Sequence, residues 1–215
     1  MYRYLVAKEP GSFGGVENLQ RYSAKPRKEV SRWLMGEDAY TLHKPVRKTF
    51  RRRRTYSKGI NDLFQADLTD MSVLARQNDG NRYLLTCIDV FSKRAWAVPL
   101  LNKSGDNVKR AFEKIFEDAM PNMIQTDKGT EFLNSTVQAL FATHNIKHYT
   151  SENEDIKAAI VERFNRTLKN KMWRYFTYSK SQKYIDVLDE LLASYNNTYH
   201  RSIGMAPSQV TDDKT

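Results

Sequence analysis

The sequence predicts an α/β fold: a mixed five-stranded sheet flanked by helices, behind a small helical N-terminal segment. Three observations carry this expectation. From about residue 61 the hydrophobic pattern runs β-β-β-α-β-α-β-α-α, an order that needs both parallel and antiparallel pairing. The charge changes character near the same point. Residues 1–60 hold 15 Lys and Arg against 5 Asp and Glu, whereas residues 61–215 hold 20 of each. The whole net charge of +10 therefore lies in the first quarter of the chain. Finally, 215 residues at 40% hydrophobic and 12% aromatic suit one ordinary core with a small appendage, not a disordered chain.

The N-terminal segment, residues 1–50, reads as helical. Val16, Leu19 and Tyr22 recur at helical spacing; Lys25-Pro26 breaks the pattern; Val30, Trp33 and Leu34 resume it. Two short helices across a tight break resemble a helix-turn-helix, a DNA-binding arrangement. The basic linker, residues 51–60, includes Arg51, Arg52, Arg53 and Arg54. Such a block binds phosphate backbones, acts as a nuclear import signal, or is simply solvated.

The strands begin with Phe64 to Met71. Asn78-Asp79-Gly80 signals a turn into Tyr83–Phe91, and Ser92-Lys93-Arg94 turns the chain into Ala95–Leu100. Three antiparallel strands joined by short turns are expected. Val108, Phe112, Ile115 and Phe116 then mark a helix, and Met123–Thr126 a short buried strand. Leu133, Val137, Leu140 and Phe141 mark a second helix, and Ile146–Tyr149 the fifth strand. Ile156, Ile160, Phe164, Leu168 and Trp173 lie along a long helix. Ile185, Leu188, Leu192, Tyr195 and Tyr199 lie along the last.

Several classes are excluded. Cys87 is the one cysteine, which rules out an intramolecular disulfide and argues against a cysteine-based zinc site. No apolar run could span a bilayer as a helix, and the first residues lack the apolar stretch of a signal peptide. A soluble protein of a reducing compartment is expected.

Three carboxylates stand out by position. Asp67 lies among apolar neighbours in the first strand, where an isolated charge is costly without a partner or a metal. Asp127 follows the fourth strand, at the kind of strand end where open sheets bind ligands. Glu162 lies in the first turns of the long helix. Singly, each has a plainer explanation: a hydrogen-bonded edge residue, a helix N-cap, and half of an ion pair with Arg166 at i+4. Together, with the first and fourth strands adjacent, they would meet at one point. Three such acids repel unless divalent cations neutralise them, and an all-oxygen site suits Mg²⁺ or Mn²⁺.

Their context carries a resemblance. Gln65-Ala66-Asp67, the run Tyr83–Asp89 followed by Phe91-Ser92-Lys93, Thr126–Phe132, Ile160–Lys169, and Tyr195-Asn196, His200 and Gly204–Pro207 resemble the catalytic core of retroviral-type integrases. That core has the RNase H-like fold shared with many DNA transposases. The second and third acids are 162 − 127 = 35 positions apart, the narrow spacing of that family. The resemblance spans residues 61–210. Asp38–Pro45 makes the chain look most like integrases of Maverick (Polinton)-type DNA transposons.

The resemblance implies an enzyme, a polynucleotidyl transferase. Asp67, Asp127 and Glu162 would be both catalytic residues and ligands of two Mg²⁺ (or Mn²⁺) ions. Water would cut near the 3′ end of the element's DNA, and the freed 3′-hydroxyl would attack a target duplex. A homo-oligomer acting on DNA in the nucleus is implied, with no membrane. Glu162, Asn165, Arg166 and Lys169 share a helix face, so the last three are candidate DNA contacts, as are Lys157 and Arg51–Arg54. Glu131 reads as structural, and Glu152–Asp155 as an acidic loop beside the site.

The departures from the family matter as well. The His/Cys zinc module is absent, so no zinc is expected. No SH3-like or chromodomain segment follows the last helix, which leaves that role to a missing domain or to partner subunits. Two alternatives stay open: a metal-dependent nuclease of the same fold, and a catalytically silent, transposon-derived DNA-binding protein.

Overall fold

The computed structural model of the chain describes residues 2–44, 55–150 and 158–211. The N-terminal helices are α1 (Val16–Ser23), α2 (Arg27–Met35) and α3 (Asp38–Thr41). The strands are β1 (Leu63–Asp70), β2 (Tyr83–Asp89), β3 (Ala95–Leu100), β4 (Met123–Thr126) and β5 (Lys147–Thr150). Among and after them come α4 (Gly105–Phe116), α5 (Thr130–Leu133), α6 (Ser135–Thr143), α7 (Ala159–Ser179) and α8 (Leu188–Asn196). The chain divides into two compact units, one of residues 1–52 with 166–209, the other of residues 53–165 with 210–215.

The second unit holds the sheet, in the order β3-β2-β1-β4-β5. β1 and β2 pair antiparallel, as do β2 and β3, while β1–β4 and β4–β5 are parallel. The mixed five-stranded sheet is thus present, with β1 at its centre. Period-two alternation along β1 sends Phe64 and Ala66 to one face and Gln65 and Asp67 to the other. The first face carries the core: Phe64, Ala66, Leu85, Cys87 and Ile124 cluster with Val108, Phe112 and Ile115 of α4 and Val137 and Phe141 of α6. Side-chain oxygens start these helices, with Ser104 Oγ accepting from the Asn107 N–H and Asn134 Oδ1 from the Val137 N–H. The opposite face of β1 receives the first turns of α7.

One expectation needs correcting. β1 and β2 are not joined by a short turn. Their connection contains a 3-10 helix, Ser72–Gln77, before the Asn78–Gly80 turn. Leu74 anchors this segment, and Asn78 Nδ2 closes it by donating to the Leu74 carbonyl at 2.8 Å. The turn signal at Asn78-Asp79-Gly80 holds in that Asp79 and Gly80 both have positive φ. It ends a longer detour rather than forming the whole hairpin.

The first unit is built on buried polar ties as well as on apolar packing. Tyr4, Phe13, Leu19, Val30 and Leu34 are buried, as are Met172 and Leu191 of α7 and α8. Lys171 Nζ donates to the Ser12 carbonyl at 2.7 Å and to Ser194 Oγ at 2.9 Å. Arg174 Nη1 donates to the carbonyls of Phe13 and Gly14. The Gly11 N–H donates to Thr198 Oγ1 at 2.9 Å. Gly11 has φ +79°, and a Cβ there would meet Tyr22 at 2.9 Å and the Asn18 carbonyl oxygen at 3.1 Å, so only glycine fits.

Candidate active site

The sequence-predicted acids lie on or beside three elements of the second unit, β1, β4 and the start of α7. The β1–β4 ladder ends at the rung Gln65↔Gln125. Asp67 and Asp127 each lie two residues beyond that rung, Asp67 within β1 and Asp127 just past the end of β4. Asp67 is half-buried. Its Oδ1 accepts from the Leu68 N–H at 2.9 Å and its Oδ2 from Asn165 Nδ2 at 2.6 Å. Asp127 is exposed, and its Oδ1 accepts from the Gly129 N–H at 3.0 Å, which turns the chain toward α5.

Behind Asp127 lies a relay that the sequence reading did not find. Gln138 Nε2 donates to His148 Nδ1 at 2.8 Å, so the imidazole proton belongs on Nε2. Nε2 is 2.9 Å from Thr126 Oγ1, whose hydroxyl in turn donates to the Asp127 carbonyl at 2.7 Å. Burial lowers the His148 pKa from its ordinary value and favours this neutral form.

Glu162 stands exposed in the first turn of α7. That turn is fixed to the sheet by Gln65, whose Oε1 accepts from the Ile160 N–H at 2.9 Å and the Val161 N–H at 3.1 Å. Gln65 Nε2 donates to Gln125 Oε1 at 2.9 Å. Both glutamines are buried, at 0% and 4% exposure. The register of β1 and this clasp bring β1, β4 and the start of α7 together.

The candidate DNA contacts divide. Arg166 is exposed and Lys169 half-exposed on α7. Asn165 is 8% exposed and turned to Asp67, and its Oδ1 has no partner among the described residues. Lys157 and Arg51–Arg54 lie outside the described residues, as does the acidic loop Glu152–Asp155. Among the described residues no ion pair joins Glu162 to Arg166.

Glu131 lies close to Asp127. A Cβ on Gly129 would come within 2.9 Å of Glu131 Oε1 and 3.0 Å of Asp127 Oδ1, so those two oxygens flank one point. Among the described residues, no three His, Cys, Asp or Glu side chains stand close enough together to hold an ion. The donors at Asp67, Asp127 and Glu162 are all carboxylate oxygens, the set that hard cations such as Mg²⁺ prefer.

Sheet order and strand directions give the mixed five-stranded sheet expected of an RNase H-like fold. The comparisons with known proteins agree. Residues 58–155 match the family model described as integrase core domain. The chain is 39% identical over 142 residues to a transposon-derived protein of Caenorhabditis elegans, a match covering 65% of this chain and 49% of that one. It is 33% identical over 111 residues to the retrovirus-related Pol polyprotein from transposon 412 of Drosophila melanogaster, covering 50% of this chain and 9% of that one. The chain thus spans about half the length of the first relative and a small part of the second.

Among solved structures it resembles the HTLV-2 integrase catalytic core domain in complex with magnesium. The TM-score is 0.61 at 22% identity, over 72% of this chain and 99% of that one. It also resembles a chain of the simian T-cell lymphotropic virus intasome in complex with a PP2A regulatory subunit. Here the TM-score is 0.68 at 19% identity, over 91% of this chain and 67% of that one. At these identities the likeness is one of fold. No described helix is long and apolar enough to cross a membrane.

Proposed function

We propose that the chain is the integrase of a transposable element, a polynucleotidyl transferase that processes DNA 3′ ends and joins them to a target duplex. One observation carries the reading above the others: Asp67 and Asp127 stand two residues past the same β1–β4 rung, beside the clasped start of α7 that bears Glu162. The family match over residues 58–155 and the transposon-derived relatives support it. The likeness to Maverick (Polinton)-type integrases, resting on Asp38–Pro45, is part of the same proposal.

In this reading Asp67, Asp127 and Glu162 would hold two Mg²⁺ or Mn²⁺ ions, without zinc. When bound, the ions activate the attacking oxygen and offset charge on the leaving oxygen. The residues of the chain do the rest. The Asn165 amide holds Asp67 Oδ2 and the Leu68 N–H holds Oδ1, which together orient the carboxylate. The Gly129 turn orients Asp127. Arg166 and Lys169, one and two turns beyond Glu162 on α7, bind phosphates of the DNA, with Lys157 and Arg51–Arg54 adding charge. No side chain needs to form a covalent intermediate. Residues 61–210 serve as the catalytic core, residues 1–50 as a DNA-docking segment, and residues 51–60 as the basic linker between them. The protein acts as a homo-oligomer in the nucleus.

The test is strand transfer. Purified protein is incubated with Mg²⁺ or Mn²⁺, a labelled element end and a target duplex, beside Asp127→Asn. Joined products that vanish in the variant and with chelator are expected. Metal-dependent cutting without joining would favour a nuclease of the same fold. Salt-sensitive binding with no chemistry would point to a silent DNA-binding relic.

A further inference from the structure

A carboxamide pair lies buried under the candidate site, and nothing in the reaction itself requires it. Gln65 and Gln125 repeat one pattern on adjacent strands: Phe64-Gln65-Ala66-Asp67 and Ile124-Gln125-Thr126-Asp127. Each glutamine is paired with the other across the last rung of the ladder and precedes a candidate metal ligand by two residues.

Burying two carboxamides in the centre of a sheet is unfavourable unless their hydrogen bonds are made. Here they are made in one direction. Gln125 Oε1 accepts from Gln65 Nε2 at 2.9 Å, which fixes the Gln65 amide so that its oxygen faces α7. That oxygen accepts from the Ile160 and Val161 N–H groups at 2.9 and 3.1 Å. The first N–H groups of a helix have no partner within the helix. Helix caps ordinarily come from the residue just before the helix. The cap of α7 comes from another element, almost a hundred positions earlier in the chain.

A second tie lies one turn on. Asn165 Nδ2 donates to Asp67 Oδ2 at 2.6 Å. Gln65 and Asp67 are neighbours on one face of β1, and they hold α7 at residues 160–161 and at residue 165. Glu162 lies between these two ties. Its distance from Asp67 is therefore set by hydrogen bonds from β1 to both sides of it, whatever the preceding loop does.

We infer that Gln65, locked by Gln125, is a positioning residue: it caps α7 from the sheet and so sets Glu162 against Asp67 and Asp127. This rests on the carboxylate reading proposed above. The function of the clasp is to fix the start of α7, and with it Glu162, to the sheet, so that a cation needs to move fewer groups when it draws the three carboxylates together.

The experiment is a titration of the full chain with Mn²⁺ and with Mg²⁺, read as the metal-induced rise in melting temperature. It compares the unaltered protein with Gln65→Met, Gln65→Glu, Gln125→Met and Glu162→Gln. Methionine keeps the length and apolar volume but accepts no N–H. Glutamate still accepts both N–H groups, and the Gln125 amide can rotate to donate to it. Gln65→Met is expected to raise the metal concentration at half-maximal shift by roughly 10-fold or more, as loss of outer-shell support does elsewhere. Gln125→Met should move it the same way but less, and Gln65→Glu should stay near the unaltered protein.

A purely structural clasp would lower the metal-free melting temperature and leave the metal midpoint unchanged, which overturns the inference. Should Gln65→Met fail to fold, Gln125→Met decides by the same criterion. Glu162→Gln separates the two layers. If it loses the metal response while the Gln65 and Gln125 variants keep theirs, the site stands and the clasp fails. If the unaltered protein shows no metal response, the carboxylate reading fails and takes this inference with it.

Discussion

At Gly129 a single methyl group would press on two carboxylates at once. The nearest atoms to an added Cβ are Glu131 Cδ at 2.7 Å, Glu131 Oε1 at 2.9 Å and Asp127 Oδ1 at 3.0 Å. All are ends of side chains that can move, and the glycine has an ordinary φ of −59°. Gly129→Ala should therefore leave the melting temperature within a few degrees while displacing Asp127. Displacements of this size near reacting groups cost roughly 100-fold in rate. Strand-transfer rates beside a melting curve check it, and an equal fall in stability and rate would contradict it.

His148 gives a second expectation at this scale. Its pKa is lowered by burial, so between the folded value and 6.5 the unfolded chain binds more protons. Stability is then full above pH 6.5 and falls as the pH drops below it. His43, also lowered by burial, adds in the same direction. Melting temperatures between pH 7.5 and 5 should decline, and His148→Gln should flatten part of that slope. Asp67, Asp127 and Glu162 stood out in the sequence because each sat at an element boundary or against apolar neighbours, and the strand and helix positions they were given agree with the structure. His148 was not. Its role depends on Gln138 and Thr126, and no local pattern announces a bond between residues on different elements. The repeated Φ-Gln-x-Asp pattern of β1 and β4 was the one signal in plain view that the sequence reading did not use.

At the scale of elements, amphipathic periodicity located the strands and helices well because most bury one face against a single core. It said less about the Ser72–Gln77 turn of 3-10 helix, where Leu74 is anchored and Val73 is 93% exposed. Six residues are too short for a periodic signal, and the Asn-Asp-Gly triplet that follows offers a simpler turn.

The later part of α7 hides another feature. Lys171 reads as a surface lysine, yet it is buried, and its pKa is pushed down to about 7, first by burial and then by Arg174. A lysine lowered in this way is protonated in the unfolded chain up to pH 10.5, but in the fold only up to about 7. Between these values the unfolded state binds more protons, so stability rises with pH. The unit formed by residues 1–52 and 166–209 should gain thermal stability from pH 7 to 9.5, and Lys171→Met should remove that gain. A flat profile in the unaltered protein would mean that the Ser12 and Ser194 bonds keep the ammonium charged.

For the molecule as a whole, the positive charge and the division into units do not share a boundary. The excess of ten positive charges lies within residues 1–60, which include Arg51–Arg54. The N-terminal helices, however, fall in one compact unit with residues 166–209. Composition showed where the charge lies but not this packing, because the ties from Lys171, Arg174 and Thr198 link residues more than 150 positions apart. Two alterations of the basic region should therefore behave differently. Removing residues 2–44 takes away the Ser12 acceptor of Lys171 and the Phe13 and Gly14 acceptors of Arg174, together with the buried apolar residues Tyr4, Phe13, Leu19, Val30 and Leu34. It should yield a poorly soluble protein whose failure to bind DNA says nothing about which residues touch it. Replacing Arg51–Arg54 with alanine leaves those ties in place, and the melting curve should be unchanged. If the four arginines meet DNA phosphates, affinity should fall for every sequence alike. The slope of log K against log salt should then become shallower by about 0.9 for each phosphate no longer neutralised, or roughly 3 to 4 in all. An unchanged slope would leave Arg51–Arg54 as a solvated linker and shift the phosphate binding to Arg166 and Lys169 on α7.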